Sequence, residues 1–330
     1  MARYARGFVR NGVVLELLYH PGHGKSASFC SWIPDFMGLQ FRSSVMQQRT
    51  YPPTISTWKT RRKEGFYAGL GQLPWAEVLD NPQGAGAAVL AIHGYLFGDI
   101  KRCSELGLDN NGIITFAKAL RNVREYINYL KNYPDTDGND TVATSDNSSL
   151  GAGETSRDKL LLQLLVGDSR GPQTRPGWAD RFSHHVVHRE EDDEEIFPWA
   201  AEMGRDILSL GLDEDAHEYT KKPAEAQARI MQYWQTAWTF MSRIPGAALC
   251  ITRNRRDHDR PYAGIVPGEA KAGDRIFIAN GGKVPFVLRE VREVRGSTYY
   301  KLIGECYIHG IMYGMPSSVQ HEDNVRVHII

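Results

Sequence analysis

Apolar and polar positions alternate in two distinct rhythms along this chain. Near the centre they recur every three or four residues; toward the end they alternate in short runs broken by turn residues. Ile113, Phe116, Ala117, Leu120, Val123, Ile127 and Leu130 share one face of a helix from Asn110 to Lys131, with Asn110 or Asn111 as its cap and Pro134 beyond its end. A Leu-rich segment from Arg157 to Val166 predicts a short helix, and another is expected near Phe197 to Leu210. The strongest helical pattern runs from Pro223 to Ile244: Pro stands at its start, Ile230, Trp234, Ala237, Trp238 and Met241 keep helical spacing, and Pro245-Gly246 ends it.

The strand rhythm appears once early, in AAVLAIHGYLFGDI from Ala87 to Ile100, where Gly94 marks a bulge or a close backbone approach. It dominates from Ala247 onward, in LCIT, DRIFIAN, VPFVLREV and TYYKLIGECYIHGIM, separated by Gly281-Gly282 and Gly296-Ser297. Val13 to Tyr19 fits a strand or a short helix, and Cys30 to Pro53 is rich in Trp, Pro and Gly, as in an ordered loop. Pro134 to Ser156 has few large apolar residues and reads as a disordered linker. The expectation is an α+β fold: a helical central region packed on a mostly antiparallel sheet, with a small C-terminal β-barrel-like module. Its parts are residues 1–132 (mixed), 133–157 (linker), 158–246 (helical) and 247–330 (β-rich).

Composition narrows the function classes. With 330 residues, 42% hydrophobic and 24% charged, the chain is globular in character and long enough for a sizeable core. Lys+Arg and Asp+Glu are both 39, so no chain-wide attraction to nucleic acid or anionic lipid is expected. The apolar stretches are too short to span a bilayer, and no signal peptide is recognisable. Cys30, Cys103, Cys250 and Cys306 lie far apart, as free thiols in a reducing compartment would. A cytoplasmic location is expected, with no membrane partner and no nucleic acid.

Each candidate for chemistry has a plainer reading beside it. HPGHGKS holds Lys25, but Tyr19 stands where a phosphate loop needs its first Gly. Gly84-Ala85-Gly86 opens no helix, which the dinucleotide fingerprint requires. His184 and His188 would share a helix face without a third zinc ligand, so no metal is expected. Glu190 to Glu195 is a run of acids that suits solvent or a helix N-terminus. Arg253, Arg255, Arg256 and Arg260 are interleaved with Asp257 and Asp259, as in a solvated turn. If Leu302 to Ile311 is one strand, Cys306 faces away from His309 and reads as a small core residue, whereas Glu305, Tyr307 and His309 share a face. That trio is a hydrogen-bonded cluster or the lining of a site.

Three segments carry a resemblance. They are CSWIPDF (Cys30 to Phe36), LAIHGYLFGDIK (Leu90 to Lys101), and the tail PYAGIVPGEAKAGDRIFIANGGKVPFVLRE through YYKLIGECYIHGIM (Pro261 to Met312). In this order they resemble the region that follows the HET domain in fungal heterokaryon-incompatibility proteins. The matching residues are Ser31, Trp32, Pro34, Asp35, Gly94, Asp99 and Ile100 at the front. In the tail they are Gly273, Asp274, Gly281, Gly282, Pro285, Phe286, Leu288, Arg289, Gly304, Glu305, Tyr307, His309, Gly310 and Met312. The family continues its tail with Asp-Gly-Glu, where this sequence has Tyr313-Gly314-Met315. The resemblance places a HET domain ahead of Trp32, where only about thirty residues stand, so none of that domain's residues carries over.

What it implies is a non-catalytic regulatory or protein-interaction region, with protein partners and no cofactor, in self/non-self recognition and programmed cell death. The rival expectation is a small-molecule hydrolase or nucleotide-binding enzyme using Glu305 and His309, or the Lys25 loop. Within the tail, Gly-Asp and Gly-Gly suit turns, Pro285 suits a strand start, and Arg289 and Glu305 are expected to pair across neighbouring strands.

Overall fold

Val89–Glu105 is a 17-residue strand in the computed structural model, the longest of the nine among the described residues. The structure describes residues 75–80, 88–105, 221–241, 246–254, 260–294, 296–309, 311–312 and 324–330. It also describes 7, 15, 18–19, 30–33, 68–69, 164 and 244 singly or in short groups. The expected helices at 110–131, 157–166 and 197–210 lie outside the described residues, as do the linker, Lys25 and the His184 group.

The strands are β1 (Ala76–Leu79), β2 (Val89–Glu105), β3 (Ala248–Asn254), β4 (Arg260–Val266), β5 (Arg275–Ala279), β6 (Phe286–Val294), β7 (Ser297–Glu305), β8 (Tyr307–Ile308) and β9 (Val325–Ile329). They form one sheet in the order β5-β6-β7-β9-β2-β3-β4-β8, with β1 on β2. β5 also pairs with β2, so the β5 end of that order folds back onto the long strand. All described registers are antiparallel except β7 with β9, which run parallel.

This corrects the expected α+β fold. The described residues are mostly strand, with one bounded helix, α1 (Ala224–Met241), and no helical central region among them. Nor is there a small barrel-like module made from 247–330 alone. The C-terminal strands share a single sheet with β1 and β2 from far earlier in the chain. The reason is β2 itself. At 17 residues it is long enough to pair with β1 and β9 along its first part and with β5 farther along, which draws strands from both ends of the chain into one sheet.

The chain divides into two compact units, Met1–Cys103 with Arg243–Ile330, and Ser104–Ser242. In the second, α1 follows Pro223, whose carbonyl accepts the Gln227 amide at 3.0 Å. Of the stripe the sequence predicts, Ile230, Ala237 and Met241 are buried, joined by Ala226, while the side chains of Trp234 and Trp238 lie outside the described residues.

In the first unit one core gathers Tyr95, Phe97 and Ile100 of β2 with Cys250, Ile276 and Ile308. Gly94 lets this core close. It faces Ala279 of β5, and a Cβ there would run into the Ile278 carbonyl and the Phe277 ring.

Candidate functional site

The residues singled out from the sequence fall into three groups. The first anchors the early segments. Trp32 is fully buried and its indole N–H donates to the Ala88 carbonyl at 3.2 Å, just before β2. Beside it, the Ser31 hydroxyl donates to the Ile330 carbonyl and accepts the Leu302 amide at 2.9 Å. The Ser31 amide also reaches the Ile330 carbonyl, at 2.9 Å. Trp32 therefore ties the early chain to the start of β2, and Ser31 ties it to β7 and the end of β9. Tyr19 likewise stacks on Phe286 at 5.4 Å, and its hydroxyl accepts the Lys283 amide at 2.8 Å. Gly282 lies in the same turn, where it accepts the Gly69 amide at 2.8 Å. Pro34 and Asp35 lie outside the described residues.

The second group is a pair of ionic clasps. Asp274 is 1% exposed at its side chain, and Arg289 grips it with Nε and Nη2, both at 2.8 Å. Nη2 also donates to the Glu269 carbonyl at 2.6 Å, and Asp274 accepts the Lys271 amide at 2.9 Å. Gly273 makes the turn, with φ of 91°, a backbone that only Gly adopts without strain, and its amide reaches Ile100 of β2 at 2.8 Å. The hydrogen bonds to Asp274 hold the Arg289 guanidinium above its ordinary range. Close by, Asp99 pairs with Arg275 at 2.6 Å and Lys101 at 3.5 Å, while its carbonyl accepts the Thr252 hydroxyl at 3.0 Å.

The expected Arg289–Glu305 pair is thus corrected. Arg289 lies opposite Lys301, Glu305 lies opposite Phe286, and Arg289's partner is Asp274. The cause is the hairpin register: β6 and β7 close at Val294 and Ser297, which carries Glu305 past Arg289 to Phe286.

The third group is the expected trio. Leu302 to Ile311 is not one strand. Glu305 ends β7 on β6, whereas Tyr307 begins β8 on β4, opposite Ile265. Cys306 sits between, its amide on the Pro285 carbonyl at 3.0 Å. Gly304 faces Val287. Tyr307 and His309 do meet: the phenol oxygen lies 3.2 Å from His309 Nδ1. Gly310 lies outside the described residues. Cys306 and Cys250 are fully buried, and burial pushes both thiols well above their ordinary range. Burial, with Asp274 near it, pushes the Cys103 thiol up to about 11. These are inert thiols at neutral pH, which agrees with the reading of Cys306 as a core residue.

A feature not singled out from the sequence crosses β6, β7, β9, β2 and β1. Arg292 lies over the Tyr299 ring at 5.4 Å, and His328 stacks on that ring at 5.3 Å. Arg326, two residues along β9, lies over the Trp75 ring at 5.0 Å and pairs with Glu77 at 2.9 Å. His93, opposite Arg326 in the register, packs on Trp75 at 4.3 Å. Desolvation, with Arg326 beside them, lowers the pKa of both His93 and His328. The signal was there in VRVHI, where Val327 and Ile329 are buried and Arg326 and His328 alternate with them.

Among the described residues, no group of three or more His, Cys, Asp or Glu could hold a metal ion. No helix among them is long and apolar enough to cross a membrane.

Comparison with known proteins agrees with the tail motif. Residues 210–325 match the family model of the Het-6 beta-barrel domain, a range that holds α1 and β3 to β8. Heterokaryon incompatibility protein 6, OR allele, of Neurospora crassa is 36% identical over 63 residues. That stretch is 19% of this chain and 9% of the relative. No solved structure matches the chain. The domain match and the Neurospora relative, with the tail motif, support a resemblance to the C-terminal region of heterokaryon-incompatibility proteins.

Proposed function

We propose that this region is a non-catalytic, cytoplasmic protein-interaction module, regulating a heterokaryon-incompatibility response in self/non-self recognition and cell death. The observation that carries the reading is the Asp274–Arg289 clasp. The most reactive-looking charges of the tail motif are spent on each other and on the backbone: Arg289 donates to both Asp274 oxygens and to Glu269. Such residues hold a fold and leave recognition to the surface it displays. The test is cross-linking in fungal cells followed by mass spectrometry, beside turnover assays of the purified chain with NAD, ATP and simple esters. Reproducible cross-links from the sheet unit to another protein, without turnover, are expected. Turnover that survives repurification and is abolished by His309→Ala would overturn the reading.

The second reading, a hydrolase, draws on the contact between the Tyr307 hydroxyl and His309 Nδ1 at 3.2 Å, which could orient an imidazole base. Glu305 ends a different strand from the one carrying Tyr307, so that reading rests on the Tyr307–His309 pair alone.

A further inference from the structure

We propose that the stripe of Trp75, His93, Arg326, His328, Tyr299 and Arg292 is a docking surface for an acidic protein segment, whose carboxylates displace Glu77 from Arg326. This rests on the interaction reading above and names the surface and the chemistry of the partner.

The case begins with placement. Four strands contribute to the stripe, with Trp75 just ahead of β1, and the register sets its side chains against one another: Arg326 faces His93, Tyr299 faces His328, and Arg292 faces Tyr299. Both guanidiniums lie over aromatic faces, Arg326 on Trp75 and Arg292 on Tyr299. A cation held on a ring has fewer conformations to lose when an anion arrives, so the stripe is preorganised. Planar guanidiniums also take carboxylates in a two-point grip.

Exposure singles out the β1 end. Trp75 is 40% exposed, one of few large apolar side chains so exposed among the described residues. The Arg326 and Glu77 side chains beside it are 41% and 51% exposed. An aromatic ring beside an exposed cation is a common composition for a binding hot spot.

Charge decides the partner. The stripe carries two permanent cations, two imidazoles and, at Glu77, one acid. Glu77 already shows what Arg326 binds: a carboxylate, at 2.9 Å. A pair this exposed is weak, so a carboxylate from a partner can take its place. A nucleic acid is the less fitting occupant. The chain as a whole has no net charge, and the stripe's two permanent cations offer few contacts to a repeating phosphate backbone.

The imidazoles add a graded response. Protonating His93 and His328 places two more positive charges about Arg326. The groups facing them are Arg326 and Glu77, with Trp75, at one end, and Tyr299 and Arg292 at the other. Only Glu77 among these is negative, so acidification makes the stripe more attractive to carboxylates until they themselves take protons.

The experiment is fluorescence anisotropy on the full chain at low salt. The probes are fluorescein-labelled hexaglutamate, hexalysine and a ten-nucleotide oligothymidylate. Hexaglutamate should bind and the other two should not. Glu77→Gln should tighten binding by about two- to fivefold, since it removes the internal competitor. That gain cannot come from misfolding. Arg326→Ala should weaken binding by about tenfold or more, with an unchanged far-UV spectrum. Lowering the pH from roughly 7.5 to 6 should tighten binding, and His93→Gln with His328→Gln should remove that gain.

Absence of hexaglutamate binding would overturn the assignment, as would Glu77→Gln leaving it unchanged. Tighter binding of oligothymidylate would overturn it in favour of nucleic acid. In each case cross-links to a protein partner elsewhere on the unit would leave the interaction reading standing.

Discussion

Two Arg–carboxylate pairs in the sheet unit have the same chemistry and opposite settings. Asp274–Arg289 is sunk beside β6, its carboxylate 1% exposed, with the Lys271 amide and the Glu269 carbonyl completing it. Glu77–Arg326 lies at the β1 end, half in solvent, with a Trp ring beneath the guanidinium. The N–O distances are nearly equal, 2.8 and 2.9 Å. Distance therefore does not separate them; surroundings do. A buried pair that loses one partner leaves a charge with no water to take it up, whereas an exposed pair that loses one is rehydrated. The first is suited to fixing a turn against a strand, the second to exchanging one carboxylate for another.

The comparison breaks most readily at the buried pair. Asp274→Ala should cost on the order of 3 kcal/mol in denaturant melts, because Arg289 loses two charge-assisted hydrogen bonds and the Lys271 amide loses its acceptor. Asp274→Ala with Arg289→Ala should cost less than the two single losses added, the signature of direct coupling. A parallel cycle on Arg289 and Glu305 should be additive. Coupling there and none with Asp274 would show that the clasp is wrongly assigned.

A smaller loss is expected at Ser31, whose hydroxyl serves two backbone groups, the Leu302 amide and the Ile330 carbonyl. Ser31→Ala should cost about 1–2 kcal/mol, read as a lowered melting temperature, since the amide is left without its acceptor. An unchanged melting temperature would mean that the early segment does not brace β7 and β9.

The early strand near Ala87 to Ile100 and the Pro223 helix were legible in the sequence because each depends on local periodicity. The sheet was not. β4 starts within an Arg/Asp cluster and contains Pro261 and Gly264, so its strand rhythm is hidden. β1 has four residues and β9 five, too short for a pattern to stand out. Which strands become neighbours is set by contacts across hundreds of residues, such as Ser31 with Ile330, and a periodicity carries no such information. The tail motif singled out residues but not their partners. The β6–β7 hairpin closes at Val294 and Ser297, and that register sets Glu305 opposite Phe286, three residues short of Arg289. The stripe escaped notice because its members are scattered from Trp75 to His328 and converge only in the sheet.

Acid sharpens the exposed side of the comparison. His93 and His328 hold their protons less tightly when folded, chiefly from desolvation and then from Arg326. The unfolded chain takes up protons near its ordinary value of roughly 6.5, before the folded protein does, so folding stability falls as pH drops below that value. His93→Gln with His328→Gln should flatten the decline between about pH 6.5 and 5 in melting experiments, without altering the plateau above it. A decline of equal slope in the variant would assign it to carboxylates elsewhere.

The smallest effect is the most discriminating. Glu77→Gln removes the exposed pair's charge while keeping its size, and Arg326 retains its seat over Trp75. Since both side chains are about half in water, solvent replaces most of what the pair contributed, and stability should shift by no more than about 0.5 kcal/mol. The same substitution is expected to tighten hexaglutamate binding several-fold, so the two readouts should part company. A structural pair would move stability and leave binding alone; an exchangeable one moves binding and leaves stability alone. A loss near that of Asp274→Ala would place Glu77–Arg326 in the same class as the buried clasp. It would also remove the argument that an incoming carboxylate can replace Glu77, because a pair that holds β1 to β9 that firmly cannot be given up for a ligand.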